Sequence, residues 1–168
     1  MAASRADLFA FLDCLGIRTT TVEHPPLHTV EESRLLRGEI AGGHSKNLFL
    51  KDKKGALFLV VAEEDASIPV NEIHPRIGAA RLSFGKPDLL AEVLGVRPGS
   101  VTPFGVINDT SGRVSVVIEA GLLRYDRLNF HPLENTATTS IARGDLLAFL
   151  RGTGHEPRIL ALTAPRPG

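Results

Sequence analysis

Apolar positions recur along this chain with two different periods. Between residues 4 and 15, Leu8, Leu12 and Leu15 fall on one face with Phe11 beside them, the spacing of an amphipathic helix. Ser4 can cap its start, Asp7 stands at the capping-box position, and Gly16 fits the C-terminal cap. The β-branched run RTTTVE at 18–23 predicts a strand, broken by His24-Pro25-Pro26. A second capping box, Thr29-Val-Glu-Glu32, predicts a short helix over about 30–37 that stops at Gly38.

The period then changes. Residues 48–50 and 56–62 are apolar and β-rich, and Lys51-Asp-Lys-Lys-Gly55 between them is a turn, which predicts a hairpin. Its second strand, Ala-Leu-Phe-Leu-Val-Val-Ala, is apolar at every position, so it should be central and covered on both faces. Further along, residues 70–77 carry a helical pattern interrupted by Pro75. Residues 81–84 predict a strand, and 86–94 a helix with Pro87 near its first position and Gly95 as stop. Residues 104–107 and 114–119 read as strands of a second hairpin around Asn108-Asp-Thr-Ser-Gly112. A strand at 128–131, β-prone residues 138–141, a helix over 143–151 and a final apolar stretch at 158–162 complete the pattern, with a loose tail after it.

Helices and strands alternate irregularly, which predicts one α+β domain with a mixed, largely antiparallel sheet flanked by helices. The length of 168 residues supports one core, spanning about residues 5–162 of a single domain over 1–168. Lysine plus arginine and aspartate plus glutamate both number 19. That balance argues against coating long stretches of nucleic acid, yet it allows a local basic patch that grips one RNA end. No apolar run approaches a membrane span, and the N-terminus lacks the pattern of a secretory signal, so no membrane partner and a cytoplasmic location are expected. The single cysteine, Cys14, rules out an internal disulfide and reads as a buried, inert thiol. No metal is expected: His24 and His28 are separated by two prolines and cannot share a helix face.

Three segments can carry chemistry. Gly42-Gly43-His44-Ser45-Lys46-Asn47 leads into the first hairpin and is either a solvated strand start or a lysine and an amide facing a cleft. Arg97-Pro-Gly-Ser-Val-Thr-Pro-Phe-Gly105 packs two glycines and two prolines into nine residues. It is either an ordinary turn or a loop that turns backbone N–H groups toward an anion. Asn129-Phe-His131-Pro-Leu-Glu-Asn135-Thr-Ala-Thr-Thr139 clusters hydrogen-bonding side chains, for capping or for a site.

In this order and at this spacing the three segments resemble the YbaK/ProX family of aminoacyl-tRNA editing domains. The resemblance is carried by Lys46 in Ser45-Lys46-Asn47-Leu48-Phe49-Leu50, by Gly99-Ser-Val-Thr-Pro103 as the family's Gly-x-x-x-Pro signature, and by Phe130-His131-Pro132 with Asn135-Thr-Ala-Thr-Thr139. His24-Pro25 and Thr29-Val-Glu-Glu32 also fit it. The pattern is most similar to the freestanding ProX branch, which deacylates alanyl-tRNA for proline. A cysteinyl-tRNA(Pro) editor, a deacylase for another small amino acid and a non-catalytic tRNA- or synthetase-binding module are the other readings.

The resemblance implies a cofactor-free hydrolase acting on the acceptor end of mischarged tRNA(Pro), with prolyl-tRNA synthetase as a partner. Lys46, Gly99, Ser100 and His131 would be catalytic. Asn47, Phe49, Val101, Thr102, Pro103 and Thr138 would bind substrate, and His131 would orient the substrate rather than act as a base. Phe49 is expected either as a pocket wall or as core, and Lys46 with Lys51, Lys53 and Lys54 either as a basic rim or as a solvated turn.

Overall fold

The computed structural model describes residues 2–26, 32, 35 and 40–163. Helix α1 spans Arg5–Cys14 with the expected reciprocal capping box between Ser4 and Asp7, and Gly16 follows it with φ of 71°. Leu8 and Leu12 are buried, whereas Leu15 closes the helix and is 40% exposed. Cys14, expected inside, is exposed. It lies two residues past Leu12, about 200° round the helix, and so faces away from the core. The helix predicted over 30–37 falls mostly outside the described residues, although Glu32 and Leu35 themselves are helical.

Among the described residues, eight strands form one mixed sheet. They are β1 (Thr19–Glu23), β2 (Gly43–Asp52), β3 (Leu57–Glu63), β4 (Leu82–Phe84), β5 (Val114–Glu119), β6 (Arg127–Phe130), β7 (Ala137–Ala142) and β8 (Arg158–Leu160). Their order is β1-β7-β6-β2-β3-β5-β8, with β4 also on β2. The expected hairpin joins β2 to β3, and β1–β7, β6–β7 and β2–β4 are antiparallel too. The pairs β2–β6, β3–β5 and β5–β8 are parallel.

The turn of the first hairpin is organised by Asp52, which is buried. Its Oδ1 accepts from the backbone N–H groups of Lys54 and Ala56, and its Oδ2 from that of Ala80. Lys51, Lys53 and Lys54 stay exposed around it. β3 is buried over its first six residues, as a strand covered on both sides must be. On one face Leu57, Leu59 and Val61 join the core formed with α1, α3 (Pro87–Leu94) and α4 (Arg143–Gly152). On the other, Phe58 and Val60 pack with Leu50 and with Ile73 and Ile77 around the single-turn helix α2 (His74–Ile77).

One expected strand is absent. Residues 104–107 belong to a 3-10 helix, Pro103–Asn108. Thr102 caps it by accepting the Phe104 N–H, Pro103 supplies a helical φ, and Gly105 sits against Leu94 so closely that a Cβ would lie 3.1 Å from the Leu94 carbonyl oxygen. The partner of β5 is therefore β3, reached across about fifty residues, rather than a hairpin neighbour.

Candidate functional site

The loop before the 3-10 helix is held by few bonds of its own. The Ser100 N–H donates to Arg97 O at 2.9 Å, and Gly99 adopts φ of 90°, a region that side-chain-bearing residues avoid. Thr102 and Pro103 are buried and serve as cap and first residue of the helix, and Ser100 is also buried. Beside the exposed Arg97 and Pro98, the loop presents Gly99, exposed, and Val101, half-buried. Among the described residues, neither of their N–H groups has an acceptor in the protein. Backbone donors left free beside a glycine can stabilise developing negative charge on an oxygen.

That loop lies against the segment that follows β6. The Phe104 ring stands edge-on to Phe130, with centroids 5.8 Å apart, and a Cβ on Gly99 would lie 3.9 Å from Asn135 Nδ2. Between Phe130 and Asn135 the chain turns through Leu133, whose φ of 70° is strained for leucine and whose buried side chain anchors it in the core. His131 opens this turn. Its Nδ1–H donates to Ala137 O at 3.0 Å, so in the neutral ring Nε2 carries the lone pair. Burial lowers its pKa below the ordinary 6.5. The bond to Ala137 opposes that shift, and the nearby His24 adds to it.

Thr138 is buried on β7 and bonds to His24 Nε2 at 2.8 Å. The His24 and His131 rings are 6.4 Å apart. His24 thus belongs to the same cluster, although the sequence marks it only as a strand breaker, a poor metal ligand and part of the resemblance, and not as a site residue. A histidine immediately before Pro-Pro, at the end of a strand, was the available signal.

Lys46 and Asn47 enter from the start of β2. Asn129 Nδ2 donates to Ala41 O and Gly43 O, and Ser45 Oγ donates to Asn129 O at 2.8 Å, so this end of β2 is fastened two residues before His131. Asn47 Nδ2 donates to Ser45 Oγ, while its Oδ1 is buried without a protein donor. Alternation places Lys46 on the same face as Leu48 and Leu50, opposite Asn47 and Phe49. Lys46 is half-buried and makes no ion pair among the described residues. Phe49 is core, only 4% exposed, with its ring over Gly85, where a Cβ would come within 2.3 Å of it. The structure therefore sets the Gly99 loop beside Asn135 and links His131 to Thr138 through Ala137 and His24. Asn47 is tied toward them through Ser45 and Asn129, whereas Lys46 lies on the opposite face of β2 and no hydrogen bond or ion pair joins it to them among the described residues.

Residues 24–149 match the family described as an aminoacyl-tRNA editing domain. The chain belongs to this family. The editing domain is 41% identical over 159 residues to the prolyl-tRNA synthetase associated domain-containing protein 1 of Danio rerio, covering 94% of this chain and 86% of that one. It is 36% identical over 156 residues to the prolyl-tRNA editing protein ProX of Acetoanaerobium sticklandii, covering 92% and 95%. A crystal structure of a candidate trans-editing enzyme for prolyl tRNA synthetase has the same fold, with a TM-score of 0.74 at 20% identity over 98% of this chain and all of that one. The resemblance read from the three segments, and the mixed sheet flanked by helices, are thereby borne out.

Proposed function

We propose that this editing domain is a trans-acting deacylase that removes a wrongly attached small amino acid, alanine first, from tRNA for proline. The observation that carries the reading is the packing of the Gly99 loop, with two unpaired N–H groups, against the turn bearing a neutral His131. Its likeness to ProX along nearly the full length of both chains supports the substrate class.

An aminoacyl ester is already activated, so the protein's task is to place water and stabilise an oxyanion. Water adds to the ester carbonyl, and its oxygen develops negative charge beside the Gly99 and Val101 N–H groups. Collapse breaks the bond to the ribose oxygen, which leaves as a hydroxyl, and the amino acid leaves as a carboxylate. The ribose 2′-hydroxyl of the substrate, rather than a protein carboxylate, activates the water. His131 Nε2 accepts a hydrogen bond that orients the substrate, and Lys46 holds the terminal phosphate. Selectivity follows from size. A missing methylene is worth only about 1–3 kcal/mol to a synthetase pocket, so a second, smaller site is needed to remove alanine while sparing proline. The domain acts in the cytoplasm alongside prolyl-tRNA synthetase.

Single-turnover deacylation of alanyl-, cysteinyl- and prolyl-tRNA(Pro) tests this. Rapid loss of alanine with prolyl-tRNA intact is expected. Rapid loss of cysteine alone would move the substrate, and binding without hydrolysis would make the domain a non-catalytic module.

A further inference from the structure

Three hydrogen bonds hold His24 at the edge of the site. The His24 backbone N–H donates to Thr136 O at 2.9 Å. Its ring Nδ1 lies 2.9 Å from Pro25 O, a carbonyl that can only accept, so Nδ1 carries the proton. Nε2 of the neutral ring is then an acceptor, and the Thr138 hydroxyl 2.8 Å away must donate to it. Residues 136 and 138 are thus gripped on either side by His24. The carbonyl between them, Ala137 O, receives the Nδ1–H of His131.

We propose that His24 is a positioning residue: by bracketing Ala137 it fixes the tautomer and orientation of His131, leaving His131 Nε2 as a bare acceptor for a hydrogen-bond donor on the aminoacyl ester. The role in hydrolysis rests on the deacylase reading above, whereas the tautomer does not. The charged groups nearby are already engaged. Glu23, next to His24, is bonded to Arg5, and Arg5 lies 3.4 Å from Glu134. Arg5 therefore draws the end of β1 and the turn after His131 together, and among the described residues no carboxylate pairs with either ring. Burial, and then the His24 ring 6.4 Å away, disfavour a charged His131.

The test uses the full chain labelled with nitrogen-15 at histidine, read by long-range imidazole NMR at pH 7.5, beside single-turnover deacylation of alanyl-tRNA(Pro). Wild type should show His131 with its proton on Nδ1. Thr138→Val keeps the shape of the residue but removes the hydroxyl, and His24→Ala removes the ring. Both should move the His131 proton toward Nε2 and slow hydrolysis about ten- to a hundredfold, the range seen when a group that orients a functional histidine is lost. Thr138→Ser, which keeps the hydroxyl, should retain the wild-type tautomer. A wild-type His131 protonated on Nε2 would overturn the proposal. So would variants that are folded and slow but keep the Nδ1–H signature. If wild type shows the tautomer and both variants lose it, yet no aminoacyl-tRNA is hydrolysed, the bracket stands and the deacylase reading falls.

Discussion

His155 Nε2 and Asp109 Oδ2 lie 2.8 Å apart with both side chains almost sealed from solvent. Asp109 also accepts the N–H groups of Arg113 and Val114, at the entrance to β5. The other His155 nitrogen meets Thr153 Oγ1, whose hydroxyl donates to Leu150 O at the end of α4. The pair therefore rivets the end of α4 to the start of a central strand. Removing one member of such a buried pair costs about 3–5 kcal/mol. His155→Ala should lose that much in urea unfolding without altering which aminoacyl-tRNA is hydrolysed.

At Gly99 the φ of 90°, with Asn135 Nδ2 only at ordinary contact distance from an added Cβ, separates strain from clash. Gly99→Ala should cost about 1–2 kcal/mol of stability from the left-handed backbone. If the loop supplies an oxyanion donor, deacylation should fall further, by about a hundredfold or more. Comparable stability with wild-type turnover would remove the loop from the mechanism.

Lys46 is half-buried and unpaired among the described residues, so its charge is available to an RNA phosphate. Lys46→Ala should weaken tRNA binding and reduce the slope of log K against log salt by about one. An unchanged salt slope with slower chemistry would place the ammonium at the reacting ester instead.

The pKa of His131 is lowered by burial, so the unfolded chain binds its proton more readily than the folded one. The stability this group contributes is present above the unfolded value of about 6.5 and is lost as the pH falls through the depressed folded value. His131→Gln should therefore lose less stability than wild type between pH 7.5 and 5. Melting temperatures across that range give the difference directly, and parallel curves would show that the ring is solvated.

Phe49 sits in the main core over Gly85. Truncating a buried phenylalanine costs about 3–5 kcal/mol, so Phe49→Ala should be strongly destabilised. Phe49→Leu should remain folded, and relaxed discrimination against larger amino acids in that variant would show that the same ring also borders the substrate pocket.

The elements legible in the sequence are those fixed by local chemistry. Ser4, Asp7 and Gly16 delimit α1, Pro87 and Gly95 delimit α3, and the unbroken apolar run marks β3 as central. The error at 104–107 arose because Phe-Gly-Val-Ile reads as a strand by composition, whereas Thr102 and Pro103 close a 3-10 turn through their own backbone geometry. The parallel pairing of β3 with β5 depends on contacts far apart in the chain and leaves no local signature. The residue types of the Gly99 and His131 segments left turn and site equally open, and their assignment to a site came from the resemblance. The role of His24 was not, because its partner Thr138 is 114 positions away.

That separation has a consequence for synthesis. β1 precedes the other strands in the sequence, but among the described residues its partner in the sheet is β7, and Thr21 waits for Thr139 across 118 positions. At translation speeds of about 5–20 residues per second, the amino-terminal half of the site stays exposed for roughly ten seconds before its other half exists. Until β7 is made, His24 lacks Thr138 and β1 lacks its partner, so a premature stop before residue 137 yields a fragment with an open strand edge.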